Sequence, residues 1–546
     1  MIKQTIFCGL LLLFFNAVTF GQSKKPLLTD EDYITPYNAV VIPDSEVTYN
    51  NPVIPGFYPD PSVCRVGDDY YLVTSTFEYF PGVPVFHSKD LINWEKIGYC
   101  IDRDDQLPKP LNVFAPNIQY HNGTFYMITT NFGEGGGNFY VTAKDPAGPW
   151  SDPIWVDIRG IDPDLFFDDD GKTYIINSFF MVYEIDLETG KILDEGRKLW
   201  YGNGGSALEG PHIYKKDGYY YILAAEGGTA EGHHVTMARA LNLYGPYISN
   251  PANPVLAHEN AAGQLNELHG IGHADIIHAH DGSWWMSFHG YRLIGNRVRG
   301  YHHTLGRETC MVPMEWPTNS WPVVNGNGTA TLKMHCPTLP LQEKSKQSSH
   351  IDFDNPELGM EWNYIQAPLV KNYSLSERKG FLRLKGAANN IGENGSPTFV
   401  GRRVQHIDFR ATTVVDFDPE SENEEAGLTL VNHGTHFDIS VKTHEDERVV
   451  QVQLEFGTNI YKSKSFSVKS GPVKLRIEGD THHIRFLYAQ NDNDFIELDS
   501  VVTSYISSET VGGYSGVYVG MFASGNGKIS KVNADFDWFE YLGKEN

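Results

Sequence analysis

Three carboxylates, one aromatic ring and one histidine occupy equivalent positions in a weak repeat of the sequence. Each lies eight residues before a turn pair, and the five are Asp60, Phe114, Asp162, Glu209 and His273. A single Asp in an acidic protein is usually a turn cap or a solvated surface charge. A set that keeps its register through five repeats instead favours one shared site.

Clustered carboxylates support two chemistries. They could hold a hard cation such as Ca²⁺, which takes about six to eight oxygen ligands. Alternatively, a carboxylic acid could protonate the leaving oxygen of a glycosidic bond while a carboxylate acts on the other side of the sugar. A third carboxylate would raise the pKa of its neighbour, because a nearby negative charge favours the protonated acid. Phe114 as an apolar platform and His273 as a polar contact suit a sugar better than a metal cage.

The elements that must position these residues are short strands joined by tight turns. Between Asn51 and about Thr331, aromatic-rich strands follow the turn pairs Asp68-Asp69, Asn122-Gly123, Asp170-Gly171, Asp217-Gly218 and Asp281-Gly282. Asn-Gly and Asp-Gly are strong hairpin signals, whereas the Asp-Asp pair is the weakest match. A spacing of roughly 50 residues is that of a four-stranded propeller blade, and no sustained helical period supports alternating βαβ units. We therefore expect a five-bladed β-propeller with the five residues at one end of its channel.

At these residues the sequence resembles glycoside hydrolase family 43. The segment around Asp60 (residues 56–62, GFYPDPS) is similar to the family's general-base motif. The segments GIDPD at 160–164 and EGPH at 209–212 resemble those that carry its pKa-modulating Asp and its general acid. The resemblance implies a propeller and hydrolysis with inversion, in which Asp60 activates water, Glu209 is the acid and Asp162 raises its pKa. The base and acid carboxyls should then lie about 6.5–9.5 Å apart. Asp164 is the alternative to Asp162, but both the eight-residue register and the motif favour Asp162.

The same resemblance implies three further contacts with substrate. Phe77, in a segment similar to one of the family's β-xylosidases, would supply an aromatic wall, His273 would lie near the axis and Arg307 would reach the sugar hydroxyls. One departure concerns the second blade, where many members carry Trp and this chain has Phe114. A smaller platform could change the preferred leaving group.

Length and charge exclude other classes of protein. The chain has 546 residues, enough for two or three domains, and a formal net charge of −25. Such a surface repels phosphate backbones and anionic lipid, so nucleic-acid and membrane partners are disfavoured. A neutral oligosaccharide is compatible with this charge.

The N-terminal segment predicts export. Lys3 precedes an apolar run from Ile6 to Phe15, and small residues follow as far as Gly21. This pattern is typical of a secretory signal over residues 1–22, and the run is shorter than the roughly 20 apolar residues of a membrane span. In an oxidising compartment the remaining cysteines could pair, and the sequence leaves the pairing open: Cys64, Cys100, Cys310 and Cys336.

No cofactor is expected to be required. The family resemblance suggests a calcium ion near the propeller axis, by His273, for some members. A zinc site is not expected, because a metalloprotease-type histidine pair needs a helix and the segment from His269 to His273 is interrupted by glycines.

The C-terminal part predicts a second all-β domain. Residues 23–338 would form the propeller, the polar stretch 339–350 a linker, and 351–546 a concanavalin-like β-sandwich. Residues 381–385 and 449–454 alternate apolar and polar side chains as half-buried strands do. Its possible roles are carbohydrate binding and support of the propeller with closure of its pocket, and the second is favoured because no surface aromatic triad for sugar binding can be picked from the sequence.

We therefore expect an exported, inverting exo-glycosidase that releases xylose from xylo-oligosaccharides, a β-xylosidase. An α-L-arabinofuranosidase is the nearest alternative, and a non-catalytic glycan-binding propeller is the alternative from another class.

Overall fold

The structure, a computed structural model, describes residues 48–258, 267–296, 300–335, 339–342, 348–490 and 494–544. Within these ranges, helix is limited to the short turns Val370–Asn372, Thr503–Ile506 and Ser508–Val511. None of the helices in the described ranges has the length and apolar character needed to cross a bilayer. The expectation of an all-β protein is confirmed, whereas the signal segment and Cys336 lie outside the described residues.

Five antiparallel sheets follow one another along the first part of the chain. Blade one and its flanking strands are β1 (Thr48–Asn50), β2 (Ser62–Val66), β3 (Asp69–Val73), β4 (Tyr79–Phe80), β5 (Gly82–Ser88) and β6 (Glu95–Ile101). Blade two contains β7 (Asn117–His121), β8 (Thr124–Asn131), β9 (Gly137–Ala143) and β10 (Ile154–Val156). Blade three contains β11 (Asp164–Phe167), β12 (Thr173–Ile176), β13 (Met181–Asp186), β14 (Lys191–Ile192) and β15 (Arg197–Lys198).

The last two blades are built in the same way. Blade four contains β16 (Glu209–Lys216), β17 (Tyr219–Glu226), β18 (His234–Ala240), β19 (Ile248–Ser249) and β20 (Leu256–Ala257). Blade five and its neighbours are β21 (Leu268–His278), β22 (Trp284–Arg292), β23 (Ile294–Asn296), β24 (Gly300–His302), β25 (Glu308–Glu315), β26 (Val323–Val324) and β27 (Lys333–His335). The blade sheets run in the orders β2-β3-β5-β6, β7-β8-β9-β10, β11-β12-β13-β14, β16-β17-β18-β19 and β21-β22-β25-β26. The predicted five-bladed propeller is therefore confirmed.

The first strands of the blades form the wall of the central channel. Strand β2 contacts β7 and β21, and β11 and β16 complete the closed ring between them. Three of the five register residues lie just before these strands, and Glu209 is the first residue of β16. His273 differs, because β21 begins five residues earlier, at Leu268, and passes His273 with two register shifts. Bulges of this kind change the direction of a side chain.

The predicted hairpin turns join the first and second strand of each blade. Asn122 and Gly123 have φ of +49° and +75°, the signature of a two-residue hairpin turn. The weak first copy turns one residue earlier than expected, at Gly67 with φ +64°, and Asp69 already belongs to β3. Glycine takes this conformation without steric cost, which explains why the Asp-Asp pair is not the turn itself.

Strand β1 and Asn51 connect the beginning of the propeller to its last blade. Strand β1 pairs antiparallel with β27, and the Asn51 side chain both donates to Met311 O at 2.9 Å and accepts from Met311 N at 3.0 Å. These contacts join segments about 260 residues apart in sequence.

The C-terminal part is a sandwich of two antiparallel sheets, as predicted. Its strands are β28 (His350–Ile351), β29 (Tyr364–Ile365), β30 (Tyr373–Ser374), β31 (Leu382–Lys385), β32 (Thr398–Arg403), β33 (Phe409–Asp416), β34 (Glu425–Asn432), β35 (Thr435–His444), β36 (Glu447–Phe456), β37 (Asn459–Lys462), β38 (Phe466–Ser467), β39 (Val473–Gly479), β40 (His483–Ala489), β41 (Ile496–Val502), β42 (Tyr518–Ser524) and β43 (Asn533–Gly543). One sheet runs β30-β31-β43-β33-β39-β40-β41 and the other β32-β42-β34-β35-β36-β37, around a common apolar core. The expected strands appear as β31 and β36. Strand β36 is not half-buried, however, because its polar Gln451 and Gln453 are buried too.

An aromatic contact joins the two domains. Strand β4 of the propeller pairs with β29 of the sandwich, and Tyr79 stacks on Tyr518 with ring centroids 3.8 Å apart. The buried Arg403 Nε donates to Phe57 O at 2.6 Å, so a sandwich side chain satisfies the propeller backbone three residues before Asp60. Aromatic pairs add about 0.5–1.5 kcal/mol each beyond the area they bury. The sandwich therefore stabilises the segment that carries Asp60.

Candidate active site

Asp60 lies in a ring of hydrogen-bond donors. Its Oδ1 accepts from Arg307 Nη1 at 2.7 Å, and its Oδ2 accepts from Ser75 Oγ at 2.5 Å. His289 Nδ1 lies 2.9 Å from the same Oδ1. Burial by itself raises the pKa of this carboxyl, but the charges of Arg307 and His273 and the contact with His289 outweigh burial and hold it well below its usual value. Asp60 is therefore an ionised, buried carboxylate.

Glu209 lies in the opposite electrostatic environment. Its side chain is 23% exposed to solvent, and the Nε2 atom of His233 lies 3.6 Å from its Oε1 atom. Burial first, and then the negative charge of Asp162, raise the pKa of Glu209 to about 7. A carboxylic acid of this kind retains its proton near neutral pH and can donate it.

Asp162 connects the acid to the histidine of blade five. Its Oδ2 accepts from the backbone N–H of Gly210 at 3.1 Å, next to Glu209 in sequence, and lies 3.6 Å from His273 Nε2. Burial disfavours the charged form of His273, but the charges of Asp60 and Asp162 prevail and raise its pKa to about 9. A cationic imidazole thus lies among the three carboxylates.

Two further imidazoles join the base side of the site to the acid side. His289 Nε2 lies 3.1 Å from His233 Nδ1, and both rings are fully buried. Burial holds the pKa of His233 well below its usual value and that of His289 at about 4, so both rings are neutral. His289 Nδ1 also accepts from the backbone N–H of Asp60 at 3.2 Å, and His233 Nδ1 also lies 3.3 Å from Gly270 O. His233 Nε2 faces Oε1 of Glu209 at 3.6 Å, so the imidazole pair spans the distance between the two carboxyls.

An aromatic wall borders this polar cluster. Phe77 packs against Phe114 with ring centroids 5.1 Å apart, and Phe132 stacks on Phe114 at 4.9 Å. Tyr514 of the sandwich stacks on Phe77 at 5.7 Å, and its backbone oxygen accepts from Arg307 Nη2 at 3.4 Å. A loop of the second domain thus contributes one side of the wall.

Several of the residues that form the site have unusual backbone conformations. Asp60, Phe77, Asp162 and His273 have φ between +48° and +55°, the left-handed region that non-glycine residues rarely adopt. Such residues cost free energy and persist where the surrounding contacts fix them, and they cluster at functional sites.

A small cavity lies on the axis beneath the cluster. It has a volume of about 10 Å³ for a water-sized occupant and is lined by Asp162, Asp164, His212 and His273, among others. Asp164 Oδ2 lies 3.3 Å from His212 Nδ1, in the floor of the site, whereas Asp162 contacts the residue after Glu209.

The structure brings together all seven residues singled out from the sequence, through direct contacts or shared neighbours. Four further residues of the site could not be recognised in the sequence: His233, His289, Thr229 and Tyr514. The two histidines lie outside the eight-residue register, and Tyr514 follows the site residues by more than 200 positions. Thr229 Oγ1, which accepts from Arg307 Nη1 at 3.0 Å, lies in a glycine-rich loop without a distinguishing pattern.

Family models match both domains of the chain. The model for glycosyl hydrolases family 43 matches residues 49–322, and that for the β-xylosidase C-terminal concanavalin A-like domain matches residues 350–542.

Individual proteins match over nearly the whole length. A non-reducing-end α-L-arabinofuranosidase of Bacteroides ovatus is 41% identical over 91% of this chain and 95% of its own. A xylosidase/arabinosidase of Butyrivibrio fibrisolvens is 37% identical over 90% and 99%. The solved structure of the xyloglucan PUL GH43B protein of Bacteroides ovatus matches with a TM-score of 0.86 and 40% identity, over 91% of this chain and 100% of that one.

Proposed function

The chain belongs to glycosyl hydrolases family 43, and from that membership we propose that it removes terminal pentose units from oligosaccharides with inversion at the anomeric carbon. The observation that carries the proposal is the contrast between two carboxyls: Asp60 stays ionised while Glu209 has a pKa of about 7. An inverting glycosidase needs one of each.

In the proposed reaction Asp60 is the general base. Its ionised carboxylate takes a proton from a water molecule that attacks the anomeric carbon, while Arg307, Ser75 and His289 fix its orientation. A position fixed by three donors avoids reorganisation during the reaction.

Glu209 is the proposed general acid. It donates its proton to the glycosidic oxygen as the bond breaks, and Asp162 keeps it protonated by raising its pKa. Cationic His273 compensates the charge of Asp162, and it can also hydrogen-bond a sugar hydroxyl.

The proposed substrates are β-D-xylosides and α-L-arabinofuranosides at a non-reducing end. These two sugars present similar hydroxyl patterns, and the relatives named above include enzymes for both. The wall of Phe77, Phe114 and Tyr514 supports an exo mode of action, because it closes one side of the site with apolar surface on which a sugar face can pack. The favoured activity is β-xylosidase, with α-L-arabinofuranosidase as the second.

The experiment compares wild type with Glu209→Ala. Turnover of nitrophenyl β-D-xylopyranoside and of nitrophenyl α-L-arabinofuranoside by wild type shows which sugar is preferred. Turnover of xylobiose and of an arabino-oligosaccharide is then compared between wild type and the variant. We expect Glu209→Ala to lose turnover of the oligosaccharides. In the wild-type reaction, nuclear magnetic resonance should detect the inverted anomer of the product first. Unchanged turnover in Glu209→Ala would reject the acid assignment, and a retained anomer would reject inversion. Absence of turnover in wild type would favour a non-catalytic glycan binder.

The calcium ion suggested by the family resemblance remains a proposal. The residues around the axial cavity fit an oxygen-ligated cation, since Asn117 Oδ1 is buried without a hydrogen-bond partner and Asp162 and Asp164 offer carboxylates. A bound ion would supply positive charge beneath His273. Equilibrium dialysis with ⁴⁵Ca²⁺ against Asn117→Leu tests it, and equal binding by both proteins would reject this site.

Export also remains a proposal, since the segment on which it depends lies outside the described residues. N-terminal sequencing of the mature protein from the producing cells tests cleavage near Gly21. The described cysteines Cys64, Cys100 and Cys310 are buried free thiols, so none of the three is paired with another.

A further inference from the structure

Outside the carboxylate cluster, two histidines and a glutamate meet at the rim of blades four and five. They are Glu231, His258 and His269, and their nearest ligand atoms all lie within 4.8 Å of one another. The three residues come from separate segments of the chain, and none of them belongs to the active-site contacts described above.

The topology of blade four brings the first two residues together. Strand β20 pairs with β18 so that Ala257 lies opposite His234, which places His258 beside the end of the loop at residues 227–233 that carries Glu231. Strand β21 packs against both β18 and β20, and it begins with Leu268 and His269. A register shift directly after His269 interrupts the ladder with β22. A bulge of this kind re-aims a side chain.

The chemistry of the set is that of a transition-metal site. The rings of His258 and His269 are buried and stack with centroids 4.7 Å apart, while Glu231 is exposed to solvent. Two imidazoles and one carboxylate are a ligand combination that zinc uses with a fourth position left open. Ca²⁺ and Mg²⁺ prefer oxygen ligands, so the nitrogen donors select against them.

The ligand atoms lie near one another but not yet at the separations of a bound ion. Donors about 2.0–2.2 Å from one tetrahedral zinc ion lie about 3.3–3.6 Å apart. A pair of ligand atoms separated by 4.8 Å therefore has to approach by about 1.2–1.5 Å when the ion binds. Rotation of the exposed Glu231 side chain can supply this movement.

We propose that Glu231, His258 and His269 bind one divalent transition-metal ion of the zinc class, separate from the catalytic carboxylates. Bound metal fastens the loop at residues 227–233 to β21. The same loop contributes Thr229 to Arg307 and His233 to the imidazole pair, so the metal site adjoins the active site without sharing a residue with it.

The test measures metal binding to tag-free, full-length protein after removal of metal with a chelator. Isothermal titration with Zn²⁺ and visible absorption of bound Co²⁺ are recorded for wild type, Glu231→Gln and His269→Gln. His278→Gln is the matched control, since His278 lies on the same strand but is exposed and stacks on Trp284.

We expect one equivalent of Zn²⁺ with micromolar or tighter affinity and a rise in Tm of a few degrees at saturating zinc. The affinity should fall at least about 10-fold in Glu231→Gln and about 100-fold or more in His269→Gln, and should not change in His278→Gln. The exposed Glu231 keeps the test valid if His269→Gln is poorly folded. Binding weaker than millimolar, or equal affinity in wild type and Glu231→Gln, would overturn the proposal.

Discussion

The two sides of the active site contain the same kind of group in opposite states. On one side Asp60 is 3% exposed and has a guanidinium, a hydroxyl and an imidazole against its oxygens. On the other side Glu209 is more exposed and lies beside the carboxylate of Asp162. The more deeply buried carboxyl is the ionised one, so the neighbouring donors and charges decide the state rather than burial alone.

This difference supports the roles proposed for the two sides. Donors that favour the charged form suit Asp60 to act as a base, and a like charge that disfavours the charged form suits Glu209 to act as an acid. Substitutions on the two sides should consequently have different signatures.

Asp60→Asn should cause the largest loss. Without the base, kcat/KM should fall about 10³–10⁴-fold for xylobiose and for nitrophenyl xyloside alike, because both reactions need an activated water. Steady-state kinetics on the two substrates measures it. A loss confined to xylobiose would place the base elsewhere.

Glu209→Gln should separate the two substrates. Turnover of xylobiose should fall about 10³-fold, whereas nitrophenyl xyloside should lose far less, because nitrophenolate leaves without a proton. Wild-type activity should also decline as the pH rises through about 7, where Glu209 loses its proton, and the variant should lack this alkaline limb. Equal losses on both substrates would contradict the acid role.

Asp162→Asn tests the origin of the raised pKa. Removing the negative charge should lower the pKa of Glu209 and move the alkaline limb of kcat/KM to lower pH, with a loss of about 10–100-fold at neutral pH. Asp164→Asn is the matched control, because Asp164 is equally buried but contacts His212 instead. If the alkaline limb moved further in Asp164→Asn than in Asp162→Asn, Asp164 rather than Asp162 would be the residue that raises the pKa of Glu209.

Tyr514→Ala should have the smallest effect and should not alter the pH profile. Loss of its stacking on Phe77 should raise KM for oligosaccharides about 3–10-fold with kcat little changed, since the ring lines the wall without touching the carboxylates. Tyr505→Ala, another exposed tyrosine of the same domain, should leave KM unchanged. A fall in kcat without a change in KM would argue that Tyr514 acts on Asp60 through Arg307.

Much of the propeller could be predicted because its signals are local. A turn pair such as Asn122-Gly123 has few alternatives to a hairpin, and repetition of the pair at regular spacing implies equivalent strands. The register therefore located Asp60, Asp162 and Glu209 before any contact was known. It was less accurate for His273, because the bulges of β21 allow the strand to begin earlier than the register implies.

The remaining parts of the site depend on contacts between distant segments. His289 lies on β22, the second strand of blade five, and Tyr514 belongs to the sandwich domain. Neither residue therefore follows the eight-residue register of the repeats. Glu231, His258 and His269 likewise have no motif spacing, because three separate segments bring them together.

The sequence by itself determined the all-β architecture of a propeller followed by a sandwich, and it singled out the three carboxylates as candidates, since hairpin turns and strand periodicity are properties of neighbouring residues. Only the tertiary structure decided which carboxylate is ionised and which is protonated. A pKa depends on burial and on charges within a few ångströms, and for Asp60 and Glu209 those charges come from segments that are up to 247 residues away along the chain.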